Sequence, residues 1–369
     1  MCGPTDTVVV RVEERGAQAP SAADSVNKPA MAHNLSEADA NGILSKSMDP
    51  PVPSLAARYT CASILVGVFA VWGKYTFVDE AKVPGGGRVE LHNWKVPAAL
   101  TTFYLVSLPL LRWFSNKFLL PNVDVKILLR EAMILYNAGQ VVLNAWMVYR
   151  FVDAVMFRGH PFVGGPVDLV DTGATFAIWV HYCDKYLEFL DTYFMVLRGK
   201  MDQVSFLHVY HHTSISWAWW FGLKLHPGGD GYFGALLNSW IHVMMYSYYT
   251  FSLLKVHCPW KRYLTQAQLL QFTTVLLYSF WSMNRMPPGS NWGHYAAHCI
   301  QDFEMISLFL LFLHFYRKAY SQKQKDAALK KQALLKALEP ETDSSADAVA
   351  EQASISSISS DEDRDDRSS

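Results

Sequence analysis

Three histidines lie in a segment that is otherwise apolar and aromatic, SFLHVYHHTSISWAWW. They are His208, His211 and His212, and at this spacing the three imidazoles share one face of a helix. Near neutral pH an imidazole can act as a base, an acid, a nucleophile or a metal ligand. The cluster is therefore the first candidate for a reactive site.

A second group of polar residues occurs in KYLEFLDTYF, where Lys185, Glu188 and Asp191 recur at three-residue steps. Ionisable side chains are costly within a membrane span and by default indicate function there. A structural ion pair with Lys185 is the alternative explanation. Two carboxylates and a lysine next to a histidine cluster favour a site.

Polar side chains also follow one face of three other segments. They are Asn238, His242, Tyr246 and Tyr249 in NSWIHVMMYSYY, Gln268 and Gln271 in TQAQLLQF, and Asn137, Gln140 and Asn144 in YNAGQVVLN. The amides and tyrosines fit either a polar seam between helices or the wall of a cavity. His242 is the member best suited to proton transfer. We expect these faces to surround a central polar cavity.

The elements that position these residues are predicted to be membrane helices. The chain is 51% hydrophobic and 18% charged, which does not fit a soluble protein, and we expect no nucleic-acid partner. Seven stretches approach the length that crosses a bilayer: 96–113, 132–152, 175–197, 205–223, 232–254, 265–283 and 296–316. An eighth, 61–78, is interrupted at Gly73 and Lys74 and fits either a short span or an interfacial helix. The predicted fold is an all-α polytopic membrane protein.

Charge and composition divide the rest of the chain. Lys and Arg collect in alternate connections, which predicts a cytoplasmic C-terminus. Residues 1–55 are predicted to be disordered, 56–95 to form the extra or interfacial helix and a loop, 96–317 the membrane domain, and 318–369 a basic and then acidic, Ser-rich tail. The five cysteines have no zinc-site spacing.

The segments KYLEFLDT, HVYHH, NSWIHVMMYSYY and TQAQLLQF, in this order, make residues 96–316 resemble the fatty acid elongases, the membrane very-long-chain 3-oxoacyl-CoA synthases. The resemblance implies condensation of an acyl-CoA with malonyl-CoA in an acyl tunnel, which releases carbon dioxide and CoA. It implies residence in the endoplasmic reticulum membrane, surrounded by lipid, and no cofactor or metal. The ketoacyl reductase, dehydratase and enoyl reductase of the cycle are implied partners, and a homodimer is one option.

The resemblance also implies roles for the candidate residues. His211 is the expected nucleophile, which forms an acyl-imidazole, while His242 faces it and His208 and His212 tune it or relay protons. Lys185 is expected to meet the malonyl carboxylate or CoA phosphates, and Glu188 and Asp191 to orient imidazoles. The remaining residues expected to contact substrate are Asn238, Tyr246, Tyr249, Gln268 and Gln271.

Within the family, Tyr210 and the segment CPWKRYLTQAQLLQF most resemble the microalgal enzymes that act on polyunsaturated chains. This predicts C18–C20 polyunsaturated acyl-CoA substrates, with C20 favoured. The chain departs from the family in two features. It ends in DEDRDDRSS and lacks a dilysine signal, and residues 153–173 lack the cysteine with which some members tie the connection after the second span to that after the sixth.

Two other functions fit parts of the pattern. A membrane di-iron desaturase or hydroxylase also uses H-x-x-H-H, but it needs several such boxes, and this chain has one. A lipid transporter would also line a passage with polar faces. It would be expected to carry inverted repeats or broken helices, which the sequence does not display.

Overall fold

The structure is a computed structural model that describes residues 50–79, 93–168, 174–286 and 290–338. Within these ranges every regular element is helical, and the only β pairing is an isolated bridge between Val167 and Gly228. The predicted all-α class is confirmed. Residues 1–49 and 339–369, which include most of the predicted disordered segment and the acidic end of the tail, lie outside the described residues.

Ten α-helices follow one another in the described ranges. They are α1 (Leu55–Gly73), α2 (Lys95–Phe114), α3 (Val125–Leu128), α4 (Arg130–Phe157), α5 (Thr175–Leu187), α6 (Phe189–Leu197), α7 (Phe206–Leu225), α8 (Gly231–Leu254), α9 (Leu264–Met283) and α10 (Trp292–Leu338). Short π-helical turns extend α1 and α2, and a 3-10 turn precedes α9.

Three helices in the described residues are long and apolar enough to cross a membrane: Leu55–Val78, Lys95–Leu119 and Trp292–Lys318. They support a helical membrane protein. The first contains the stretch 61–78, which the sequence predicts to be either a short span or an interfacial helix. The predicted span 175–197 is divided between two helices of 13 and 9 residues, each too short to cross. The other four predicted spans coincide with helices that carry polar residues of the candidate site. The count of seven spans stays a prediction.

A core of aromatic side chains holds the central helices together. α4 and α8 form the most extensive helix pair, and α5 and α7 also pack closely against each other. Phe151, Trp179, Trp220 and Tyr232 are buried in one cluster between these helices. This core fixes the inner faces of α4, α5, α7 and α8, on which most of the predicted site residues lie.

The predicted span 175–197 is interrupted at Glu188. α5 ends at Leu187 and α6 begins at Phe189, and Glu188 between them has φ −63° and ψ −16°. The N–H of Asp191 donates to the Glu188 carbonyl oxygen at 3.1 Å, a three-residue step typical of a 3-10 turn. The apolar periodicity continues across this point, so the sequence pattern predicted one helix where the structure has two.

Asp230 links the connection that holds Gly164 and Gly165 to helix α9. The N–H groups of Gly164 and Gly165 donate to its carboxylate at 3.0 and 2.8 Å. From α9, Ser282 donates to the same carboxylate, and Tyr278 does so at 3.3 Å. We call these five residues the Asp230 clip. It links the connection after the second predicted span to the end of the sixth predicted span.

Two histidines brace the clip from the connections. His226 Nε2 lies 3.1 Å from the carbonyl oxygen of Gly165, and His160 Nε2 lies 3.1 Å from that of Gly229. Burial lowers the pKa of both imidazoles, that of His226 to about 4. Gly229 has φ +28°, and a Cβ there would lie 1.7 Å from His226 Nε2, so only glycine fits.

The chain divides into two compact units at Leu313. The second unit begins at His314 and includes the rest of α10, which stays helical to Leu338. The segment from residue 323 that was predicted as a basic helix is therefore helical as far as it is described. All the predicted site residues belong to the first unit.

Candidate functional site

A buried ion pair lies at the break between α5 and α6. Lys185 Nζ and Glu188 Oε1 are 2.5 Å apart, and each side chain is only 1% exposed. Lys185 also donates to Asn238 Oδ1 at 3.2 Å, and His242 Nδ1 lies 3.0 Å from Glu188 Oε1. Four predicted residues, from α5, from the break and from α8, thus form one polar group, in which Glu188 contacts an imidazole.

Asp184 extends this group, although the sequence analysis gave it no role. Its Oδ1 accepts a hydrogen bond from Gln140 Nε2 at 2.9 Å, and Asn144 donates to Gln140 Oε1 at 3.0 Å. Asp184 Oδ2 has no hydrogen-bond partner among the described residues. The signal for Asp184 was its position four residues before Glu188, which places both carboxyl groups on one helix face.

Asp184, Glu188 and His242 are the residues that could hold a cation, because one ligand atom from each lies within 4.8 Å of the others. The ammonium group of Lys185 already lies against Glu188. The chain itself therefore supplies positive charge at this point, and a metal-free site stays a prediction.

The three clustered histidines have different surroundings. His208 Nε2 lies 2.8 Å from Thr192 Oγ1, which in turn lies 2.8 Å from the hydroxyl of Tyr104. The rings of His208 and His212 are 4.5 Å apart. The Nδ1 atoms of His211 and His212 are buried without a hydrogen-bond partner in the described part of the chain. Of the three, only His211 lines a long cavity beside α7.

This long cavity, with an empty volume of about 830 Å³, follows one face of α7. The α7 residues that line it are His211, Ile215, Ala218, Trp219 and Gly222, and His226 lines it directly after the end of the helix. From His211 to His226 the helix rises about 22 Å. Asn238 and Gln271 line it as predicted, whereas Gln268 is half-buried and is not among its lining residues.

The wall that α10 contributes to the long cavity was not predicted. Gln301, Glu304 and His298 line it, and Glu304 is buried. The signal was an acidic residue and an amide three residues apart within an apolar stretch, which places both on one helix face.

A second cavity, which we call the vestibule, has an empty volume of about 790 Å³. It is lined by Asn137, Asp191 and Tyr249, and also by Arg198 and Lys200. Tyr246 connects it to the ion pair: its hydroxyl donates to Asp191 Oδ2 at 2.6 Å, and its ring lies 5.7 Å from that of His242. Asp191 was expected to orient an imidazole, but its carboxylate instead accepts the hydrogen bond of this tyrosine.

A row of side chains therefore runs from one cavity to the other, linked by polar contacts except between His242 and Tyr246, whose rings meet edge to face. Its members, in order, are Asn238, Lys185, Glu188, His242, Tyr246 and Asp191. The arrangement places positive charge, a carboxylate and imidazoles between two cavities. It suits a reaction in which one imidazole attacks a carbonyl group and a nearby cation stabilises the oxyanion.

Comparison with known proteins places the chain in a family. A family profile described as ELO: GNS1/SUR4 family matches residues 89–328. The very long chain fatty acid elongase 5 of Xenopus tropicalis is 35% identical over 263 residues, 67% of this chain and 84% of that protein. The human very long chain fatty acid elongase 4 is 35% identical over 255 residues, which cover 65% and 77%.

The rat very long chain fatty acid elongase 2 is 37% identical over 230 residues, 61% of this chain and 79% of the relative. The matched region contains all the predicted site residues. Because the profile covers more than half of the sequence and several relatives exceed 30% identity, this chain belongs to the fatty acid elongase family.

Proposed function

We propose that the protein is the condensing enzyme of fatty acid elongation, a very-long-chain 3-oxoacyl-CoA synthase. The observation that carries this proposal is the position of His211, which lines the long cavity next to the buried Lys185–Glu188 pair. The names of the similar proteins support the same reaction class. Family membership favours this function over a desaturase, a hydroxylase or a transporter.

The two cavities suit the two parts of an acyl-CoA. The long cavity takes the acyl chain along α7. The vestibule takes CoA, whose phosphates fit the guanidinium of Arg198 and the ammonium of Lys200. The thioester then lies between the cavities, close to His211 and the ion pair.

The reaction proceeds in two steps. First, a ring nitrogen of His211 attacks the thioester carbonyl carbon, the C–S bond breaks, and CoA leaves as a thiolate that takes up a proton. Malonyl-CoA then loses carbon dioxide, and the resulting enolate carbon attacks the acyl carbon. The C–N bond breaks, and the imidazole is regenerated. Lys185, held by Glu188 and Asn238, stabilises the oxyanion.

The substrate and the setting are proposed from the resemblance. The substrates are polyunsaturated acyl-CoAs of C18–C20, with C20 favoured, as in the microalgal branch. The enzyme acts in the endoplasmic reticulum membrane with its C-terminus in the cytoplasm, requires no cofactor, and passes its product to the ketoacyl reductase, dehydratase and enoyl reductase. It works either alone or as a homodimer.

The experiment is a pre-steady-state measurement of CoA release by purified enzyme. Acyl-CoA alone should release a burst of CoA no larger than the amount of enzyme, and malonyl-CoA should then release the 3-oxoacyl product. His211→Ala should abolish both, whereas His257→Ala, at an exposed position, should change neither. If the wild type forms product but releases CoA only when malonyl-CoA is present, a direct attack within a ternary complex replaces the acyl-histidine mechanism.

A further inference from the structure

A carboxyl group lies in the wall of the long cavity. Glu304 on α10 is 3% exposed, and its Oε1 accepts a hydrogen bond from Ser214 Oγ at 2.6 Å. No described residue donates to its Oε2. Gln301, one helical turn earlier, lines the same cavity with its amide. Two polar groups on one face of α10 thus lie beside the cavity.

A plain hydrocarbon chain does not complement this wall. A carboxyl oxygen that faces hydrocarbon across a cavity without a partner costs free energy, and acidic residues at membrane depth are rare for that reason. A site built to hydrogen-bond a substrate hydroxyl, by contrast, discriminates strongly against an analogue that lacks it, because the polar group in the site is then left unpaired. The wall therefore suits an acyl chain that carries its own polar group.

The position of Glu304 indicates which part of the chain it meets. Its partner Ser214 lies three residues after His211, so the contact is about 4.5 Å further along α7 than His211 itself. The end of the cavity at His226 is about 18 Å beyond Ser214. Glu304 is thus much closer to the expected position of the thioester than to the far end of the acyl chain.

From this geometry we infer that the long cavity contains a subsite for acyl-CoAs with a hydroxyl group on the thioester-proximal part of the chain. The hydroxyl donates to Glu304 Oε2 and accepts from the Gln301 amide. This inference rests on the proposed function and narrows its substrate class. Unsubstituted chains also enter the cavity, but they leave Glu304 Oε2 unpaired.

The test is a competition assay in which purified enzyme and malonyl-CoA receive an unsubstituted acyl-CoA and its hydroxylated analogue together. The hydroxyl is placed in turn at each carbon of the thioester-proximal half. At one or two neighbouring positions we expect the hydroxylated chain to be preferred by about tenfold in kcat/KM, the value of one hydrogen bond. Glu304→Leu should abolish the preference, and Glu304→Gln should keep part of it.

Phe303→Leu is the matched control, because Phe303 neighbours Glu304 but is 68% exposed on the outer face of α10. It should leave the preference unchanged. If Glu304→Leu does not fold, Gln301→Leu tests the same subsite. A ratio that is equal in the wild type and the variants at every position would overturn the subsite, as would an equal loss for both substrates. If the wild type extends neither substrate, the proposed function itself fails.

Discussion

The two ends of the long cavity differ in whether their buried polar groups have hydrogen-bond partners. Around His211 and the ion pair, several buried polar atoms have no hydrogen-bond partner in the described part of the chain: Asn144 Oδ1, His181 Nε2, Asp184 Oδ2, His211 Nδ1, His212 Nδ1 and Thr213 Oγ1. In the Asp230 clip, both carboxylate oxygens receive donors from two separate segments. Because unpaired buried groups cost stability, the first end has the character of a reactive site and the second that of a structural tie.

The largest expected effect comes from removing the ion pair at the His211 end of the cavity. In the double variant Lys185→Met, Glu188→Leu, condensation should fall by about 10³-fold because the charge that stabilises the oxyanion is gone. The thermal midpoint should stay level or rise, since replacing both members of a buried ion pair by apolar residues is often neutral or stabilising. Turnover and thermal denaturation of purified protein measure the two effects.

Lys224→Met is the control for this double variant, because it removes a lysine from the exposed side of α7. It should leave both values unchanged. Turnover within tenfold of wild type in a folded double variant would show that the ion pair serves only the structure.

The next largest effect comes from disrupting the Asp230 clip. Asp230→Ala leaves the donors of Gly164, Gly165 and Ser282 without their acceptor and should destabilise the protein by about 3 kcal/mol. Turnover per folded molecule should stay close to wild type. Asp202→Ala, at an exposed position, is the control. A loss of turnover without a loss of stability would place Asp230 in the reaction.

Acid should remove the stability that neutral His226 contributes beside the clip. His226 has a pKa of about 4 in the folded protein because of its burial and the neighbouring His294, compared with a reference value of 6.5. The unfolded chain therefore binds a proton that the folded chain does not. Stability is complete above pH 6.5 and falls as the pH decreases towards 4, by at most about 3 kcal/mol. Urea unfolding across this range measures the slope.

His226→Gln removes this titrating group and should make the pH dependence shallower. The same substitution at the exposed His257 should not. An unchanged slope in His226→Gln would assign the acid sensitivity to other residues.

The smallest effect refines the comparison at the reactive end. Thr213→Val replaces a buried, unpaired hydroxyl by a methyl group of similar size and should be neutral or stabilise the protein by up to about 1 kcal/mol, with turnover unchanged. Differential scanning fluorimetry is precise enough to measure this shift. Reduced turnover in a stable variant would mean that the Thr213 hydroxyl contacts the substrate.

The sequence predicted local geometry better than long-range contacts. The spacing of His208, His211 and His212 correctly predicted a helix, and Asn238 and Gln271 line the cavity as expected. The interruption at Glu188 escaped prediction because the apolar pattern continues through it, and the break depends on tertiary packing.

The residues that were missed owe their role to distant partners. Asp230 meets Gly164 and Ser282, each more than fifty residues away in the chain, and no local pattern predicts such contacts. Glu304 gains its significance from Ser214 on another helix. Asp184 could have been predicted from the sequence, since its spacing places it on the same helix face as Glu188. Its hydrogen bond to Gln140 could not, because that contact depends on the packing of α4 against α5.

Because a single face of α7 lines the long cavity, this helix can act as a molecular ruler. Gly222 has open space where a Cβ would lie, and Ala218 is one turn nearer to His211. A bulky residue at Gly222 would stop the acyl chain about 6 Å short of His226, and one at Ala218 would stop it about 6 Å earlier still. Product length would then decrease in steps set by the helical rise, so that chain-length specificity could be re-engineered one position at a time.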